Sequence, residues 1–214
     1  MPKIYFYKLR VDNGGAPCIQ YGLLSLAICK PMIRCTACRD DLIFGFAADS
    51  LHQDNRLIYV AVVTEKIPNG DYFKNERFAD RADCVYEWRD GRFGWRNDAV
   101  YHGPKDLAHD LGKPPDYPRA NVLLSTDFRY FGANGSAEYK LRYPLIKKAV
   151  EDLGRGHRVR HEERLREEFW NLKHEVGQGT QTKVAGPPTS APSLGVCQRS
   201  KSCGVLLNLP GFHT

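Results

Sequence analysis

Hydrophobic and polar positions divide the chain into a strand-rich first part and a helical C-terminal part. Runs of β-branched, aromatic and aliphatic residues predict strands at 4–9, 42–46, 56–63 and 122–125. The apolar run 23–29 is compatible with a strand or a helix, although Pro31 after it favours an extended end. Strands with short helices between them predict an α+β fold.

Two stretches near the C-terminus have helical periodicity. Residues 136–153 form the first, and residues 157–176 form the second. The second stretch carries an apolar stripe at spacings of three and four, made of Leu165, Phe169, Leu172 and Val176. After it, Gly, Pro, Ser and Thr dominate, so we expect residues 177–214 to be a disordered tail.

The region from 71 to 109 is irregular and interleaves aromatic with basic side chains. Such rings are suited to stacking an extruded base, and such guanidinium groups to contacting phosphates or base edges. The rings are Tyr72, Phe73, Trp88 and Trp95, and the arginines considered with them are Arg34, Arg81 and Arg89. The alternative is that the rings form a core and the arginines are solvated.

Composition adds a weak preference for a polyanionic partner. The chain of 214 residues has a formal charge of +6 and is 11% aromatic, which suits nucleic acid but serves solubility equally well. The N-terminus lacks a signal-peptide pattern, and no apolar run is long enough to span a membrane. We therefore expect cytoplasmic localisation, reduced cysteines and no membrane partner.

Short motifs in the chain do not define a chemistry. Cys35 and Cys38 have C-x-x-C spacing but lack a second pair, so we predict no metal ion and no cofactor. The segment 132–136 is glycine-rich and suits a turn or a phosphate contact. Adjacent Asp40 and Asp41 would point to opposite faces of a strand, which favours a turn or cap over a paired acid and base.

Several stretches in a fixed order resemble the nucleotide modification associated domain 2 family. They are 26–31, 33–34, 41–45, 57–63, 72–73, Arg81, 83–86, His102 and 125–132. The resemblance spans roughly residues 3–135 and departs from the family at Asp40-Asp41, where Gly-Asp is expected. It implies a family domain over 1–135, a helical extension over 136–176, and a link to DNA base modification in phage and bacterial neighbourhoods, including phage defence systems.

The order of an Ile-Arg pair, a small helix, an aspartate and two apolar strands is also similar to the EVE, YTH and ASCH group of PUA-like domains. Those domains grip a flipped modified base within a small β-barrel. This second resemblance implies a strongly curved sheet or small β-barrel, with two C-terminal helices added. A base cage would then combine the loop 30–34 with the aromatic region.

The favoured function is therefore recognition of modified bases in nucleic acid, with DNA preferred as the partner. The predicted binding residues are Lys30, Arg34, Tyr72, Phe73, Arg81, Tyr86, Trp88 and Phe131. The alternative is an enzyme that modifies a base or nucleotide, or removes a modification, with Asp83 and His102 as acid and base. A buried, coupled carboxylate and imidazole favour the enzyme, an open aromatic groove favours the reader, and a flat apolar patch favours a protein-interaction module.

Overall fold

A computed structural model describes residues 1–178 and 182–189 of the chain. In these ranges, three sheets contain β1 Ile4–Leu9, β2 Cys18–Gln20, β3 Leu23–Leu26, β4 Leu42–Ala47, β5 Leu57–Val62, β6 Glu65–Ile67, β7 Tyr86–Arg89, β8 Arg92–Trp95, β9 Val122–Ser125, β10 Asp127–Tyr130 and β11 His157–Arg158. The α-helices are α1 Pro31–Thr36, α2 Asp71–Lys74, α3 Leu107–Leu111, α4 Tyr139–Arg142, α5 Pro144–Glu151 and α6 Glu163–Gln178. The α+β class predicted from the pattern is confirmed.

The largest sheet has five strands in the order β10, β5, β4, β1, β11. β1 and β4 run parallel, whereas the other neighbouring pairs are antiparallel. Every residue of central β4 is buried, as its continuous apolar run indicates. Gly45 in β4 is required by close packing, because a Cβ there would lie 2.2 Å from the ring of Tyr59. The predicted strands at 4–9, 42–46 and 56–63 are confirmed within one or two residues.

One face of this sheet packs against α4, α5 and α6. Phe6 and Phe44 from the sheet meet Phe169 from α6, with ring centres 5.3 and 4.8 Å apart. Phe169 and Leu172 are buried, and Leu165 and Val176 pack at the edge of the same core. The apolar stripe predicted for the last helix is therefore confirmed.

The opposite face packs against a four-stranded sheet ordered β2, β3, β9, β6. Leu24, Leu26 and Leu123 of this second sheet share a core with Tyr7 and Tyr59. Alternate residues of β3 and β9 point the other way into an aromatic core that contains β7, β8, α2 and α3. The second sheet thus separates the first sheet from the aromatic region.

Two predicted helical boundaries were wrong. Residues 136–153 form two helices, because Pro144 keeps Tyr143 out of helical conformation at φ −126° and ψ 75°. Residues 157–158 pair with β1 as β11, so the final helix begins only at Glu163.

The described strands do not close into a barrel, so that form of the fold prediction was wrong. β10 and β11 are the edges of one sheet, and β2 and β6 are the edges of the other. Residues 182–189 fall in the stretch predicted to be disordered, yet Val184 forms a parallel bridge with Tyr130 on the β10 edge. Composition does not reveal such backbone pairing. Residues 177 and 178 of the predicted tail belong to α6, and the remaining parts, 179–181 and 190–214, lie outside the described residues.

The predicted turn or cap role of the Asp40-Asp41 pair is confirmed for Asp41. Its carboxylate accepts the backbone N–H of Lys3 at 2.6 Å and that of Cys38 at 2.8 Å. These contacts fix the entry into β4 beside the start of β1. In residues 1–178 and 182–189 no helix combines the length and apolar character needed to cross a membrane.

Truncating Phe169 tests how much the packing of α6 stabilises the fold. We expect Phe169→Ala to lower the free energy of unfolding by about 3–5 kcal/mol, because it leaves a cavity beside the rings of Phe6 and Phe44. Urea denaturation measures the change. Leu141→Ala, at a side chain that is 89% exposed, is the control and should change stability by less than about 0.5 kcal/mol. Equal effects of the two substitutions would contradict the packing described.

Candidate functional site

The site begins at a tight turn between β3 and α1. Cys29 and Lys30 both have left-handed backbone conformations, with φ of 57° and 42°, and Pro31 then starts α1. Consecutive left-handed residues without glycine are strained, and such strain is concentrated at functional sites. The turn presents the Cys29 side chain to a surface cavity instead of burying it in either sheet.

Cys29, His102 and Asp110 form a hydrogen-bonded series. The Cys29 sulfur lies 3.2 Å from Nε2 of His102. Nδ1 of His102 lies 2.6 Å from Oδ2 of Asp110 and donates its hydrogen to that carboxylate. The other oxygen of Asp110 accepts the backbone N–H of Cys29 at 2.9 Å. A thiol, an imidazole and an orienting carboxylate in this order have the geometry of an activated nucleophile.

His102 and Asp110 favour their charged forms in this series. The hydrogen bond to Asp110, followed by the contact with Cys29, raises the pKa of His102 to about 10, although burial opposes the shift. Burial would raise the pKa of Asp110, but hydrogen bonds from His102 and Tyr86 and the charge of Arg34 outweigh it and hold this pKa below its usual value. At neutral pH, His102 is therefore an imidazolium and Asp110 a carboxylate.

Arg34 connects the segments that form the site. Its guanidinium is fully buried and donates to the carbonyl oxygens of Cys29, Arg119, Asn121 and Asp110, at 2.5–2.8 Å. It also lies 3.8 Å from the Asp110 carboxylate. With all three nitrogens bonded to the protein, Arg34 connects the Cys29 turn to α3 and to the start of β9.

A cavity of about 500 Å³ opens at the Cys29 turn. One part of its wall is apolar and includes Leu9, Ala16 and Ile33. Lys30 from the turn and His157 from β11 also line it. This volume is in the range of small-molecule sites.

The two residues predicted as acid and base lie in separate networks. His102 contacts Asp110, whereas Asp83 accepts hydrogen bonds from Ser25 at 2.5 Å and from Tyr72 at 2.7 Å. Arg81 donates to Tyr72 and Ser25 and lies 3.5 Å from Asp83. Burial raises the pKa of Asp83 despite the nearby Arg81 charge. This second cluster lies in the interior and ties β2 and β3 to the loop before β7.

The predicted binding residues divide among several places. Lys30, Arg34 and Tyr86 lie at the Cys29 site, where the Tyr86 hydroxyl donates to Asp110 at 2.8 Å. The remaining predicted residues lie elsewhere: Tyr72, Phe73 and Arg81 are buried, Phe131 is partly buried against the α6 core, and Trp88 is 42% exposed beneath the Lys74 ammonium. These rings do not line the cavity.

Sequence reasoning missed Cys29 and Asp110. The available signal was a cysteine at the end of an apolar run, followed directly by Lys30-Pro31 at the start of a helix, with a histidine and an aspartate much later in the chain. Their partnership depends on contacts between residues 73 and 81 positions apart. The cysteines at 35 and 38 belong to no cluster of three or more potential metal ligands in the described part of the chain.

Together, the fold and the site define an α+β protein with a Cys-His-Asp series whose cysteine lines a small-molecule-sized cavity. The family model described as nucleotide modification associated domain 2 matches residues 1–191. The chain therefore belongs to this family, and its role is linked to nucleotide modification. The match confirms the resemblance found in the first 135 residues and extends it across the C-terminal helices. No curated protein and no solved structure matches the chain.

Replacing Arg34 tests its role as the anchor of the site. We expect Arg34→Leu to lower the free energy of unfolding by about 3–5 kcal/mol, because it removes the cation beside the buried Asp110 carboxylate and leaves several buried carbonyl oxygens without a donor. Chemical denaturation measures this loss. The matched control is Arg89→Leu, since the Arg89 side chain is 72% exposed. If both variants are equally stable, Arg34 does not hold the site.

The raised pKa of His102 predicts its charge state across the pH range. A folded-state pKa near 10, above the ordinary 6.5, means that stability from the imidazolium is complete below about 6.5 and is lost as pH rises through about 10. NMR titration of the His102 ring should show this transition. In Asp110→Asn we expect the His102 pKa to fall by roughly 1–3 pH units. The exposed Asp90→Asn should leave it unchanged; a fall of the same size there would exclude Asp110 as the cause.

Proposed function

We propose that this protein is a cysteine-dependent enzyme that modifies a nucleobase or nucleotide, or removes a modification from one. The observation that carries the proposal is the 3.2 Å contact between the Cys29 sulfur and His102, whose other ring nitrogen is held by the buried Asp110. The family relation supplies the substrate class. The cavity beside Cys29 supplies a place for that substrate.

The geometry gives each side chain a separate task. The Cys29 thiolate attacks an electrophilic carbon of the base or of its substituent and forms a C–S bond, while the displaced electron pair moves to the leaving group or to a ring atom. The imidazolium of His102 donates its Nε2 proton to the atom that receives those electrons. Asp110 keeps the ring oriented and stabilises its positive charge. In the second step, water attacks the carbon bound to sulfur, the C–S bond breaks with its electron pair returning to the Cys29 sulfur, and the neutral His102 accepts the proton that the water loses.

The reader function favoured by the sequence receives less support from the structure. A base cage requires exposed ring faces that converge on one opening. Tyr72 is fully buried and Phe73 is 6% exposed, because both belong to the aromatic core behind the second sheet. Trp88 offers an exposed ring, but its partners Phe93 and Tyr117 are buried neighbours in the same core. A coupled carboxylate and imidazole, Asp110 and His102, are instead joined to Cys29, which lines the cavity.

Alkylation of the cysteines tests whether Cys29 is an activated nucleophile. The protein is treated with iodoacetamide at neutral pH, and the modification of each cysteine is followed by peptide mass spectrometry. We expect Cys29 to react faster than the more exposed Cys38, because its sulfur lies 3.2 Å from Nε2 of His102. In His102→Gln, the rate at Cys29 should fall by about ten-fold or more.

The control for this experiment is His174→Gln, which removes an exposed imidazole from α6. It should leave the Cys29 rate at its original value. Slower reaction of Cys29 than of Cys38 would overturn the proposal of an activated thiol, and so would a Cys29 rate that is unchanged in His102→Gln.

A further inference from the structure

The cavity is lined by several basic side chains and by no acidic side chain of the described residues. These basic side chains are Arg10, Lys30, His109 and His157. Among the described residues, neither Arg10 nor Lys30 forms an ion pair. Basic groups gathered in a concave site without acidic partners favour an anionic ligand.

Lys30 and His157 are brought together beside Cys29 by the sheet. The Lys30 ammonium lies 4.5 Å from the centre of the Tyr7 ring, and Tyr7 is paired with His157 across β1 and β11. Burial lowers the pKa of Lys30, and burial followed by the Lys30 charge lowers that of His157. An anion between these two groups would relieve both effects, since it stabilises the protonated forms.

The size and the apolar wall of the cavity restrict which molecule can carry the anionic group. Its volume of about 500 Å³ accommodates one nucleotide, and its apolar wall is suited to a base and sugar. At the rim, Val11 and Met32 are each 56% exposed, so apolar side chains interrupt the basic surface. Proteins that bind single strands instead line a groove with cations that follow successive phosphates.

We infer that the substrate is a free nucleotide whose terminal phosphate binds between Lys30, His157 and Arg10, with its base directed towards Cys29. This inference rests on the proposed function and specifies its substrate class. A terminal phosphate carries more negative charge than a phosphate within a strand, which matches the several basic groups that line the cavity. Lys30 follows Cys29 directly in the turn, so the phosphate site and the nucleophile are positioned by the same strained backbone.

Calorimetric titration of the full chain carrying Cys29→Ser tests this inference without requiring chemistry. The probes are the four deoxynucleoside monophosphates, their nucleosides, inorganic phosphate and a short oligodeoxynucleotide without terminal phosphates. We expect at least one monophosphate to bind roughly 10- to 100-fold more tightly than its nucleoside. It should also bind more tightly than inorganic phosphate and the oligonucleotide. Adding Lys30→Met should remove most of the preference for the monophosphate over the nucleoside.

Two further variants make the result specific. Arg10→Met, at an exposed position where a folding defect is not expected, should also weaken the preference. Lys147→Met, which removes the same charge from the exposed face of α5, should leave it intact. Thermal unfolding of each variant verifies that it is folded.

Several results would overturn the inference: equal binding of nucleoside and monophosphate, equal binding of inorganic phosphate, tighter binding of the oligonucleotide, or no binding of any monophosphate. Failure here is distinguishable from failure of the proposed function, because titration of Cys29→Ser does not depend on the thiol. Rapid, His102-dependent alkylation of Cys29 without a preference for monophosphates would retain the enzyme and reject this substrate class.

Discussion

The buried carboxylate of Asp110 is the group on which the site depends. A carboxylate without water requires strong donors, and Asp110 receives the His102 ring, the Tyr86 hydroxyl and the backbone N–H of Cys29, with the Arg34 charge close by. These donors come from three loops or helices and from β7. One ionised group therefore fixes the relative positions of segments that are distant in sequence, including the thiol and the imidazole.

Burying Arg34 and Asp110 together does not by itself stabilise the fold, since desolvating a guanidinium and a carboxylate costs several kcal/mol that their mutual attraction only partly offsets. An apolar core of equal volume would stabilise the domain at least as well. The arrangement is better explained by positioning: the carbonyl of Cys29 is held by Arg34, and its N–H by Asp110. Both polar groups of a strained residue are thereby fixed, which keeps its side chain at the cavity.

The sequence predicted those parts of the fold that local pattern determines. Continuous apolar runs identified β4 and β5, and a spacing of three and four identified the buried face of α6. Closure of the sheet was not determined by pattern, because it depends on which strands occupy the edges. The candidate site was predicted in part: Lys30, Arg34, Tyr86 and His102 do converge, but Asp110 and not Asp83 is the carboxylate that joins them. Two buried aspartates look alike in sequence, and only long-range packing distinguishes them.

The same comparison explains why the aromatic region was misleading. Rings interleaved with arginines describe a stacking surface and an aromatic core equally well, and the second sheet decides between them by giving these rings an apolar face to cover. Covering that face brings Tyr86 and α3 against the Cys29 turn. The aromatic residues of this region thus shape the site indirectly: they form the core that carries Asp110 to the cysteine, while the cavity is lined by other residues, among them Tyr7 and several aliphatic and basic side chains.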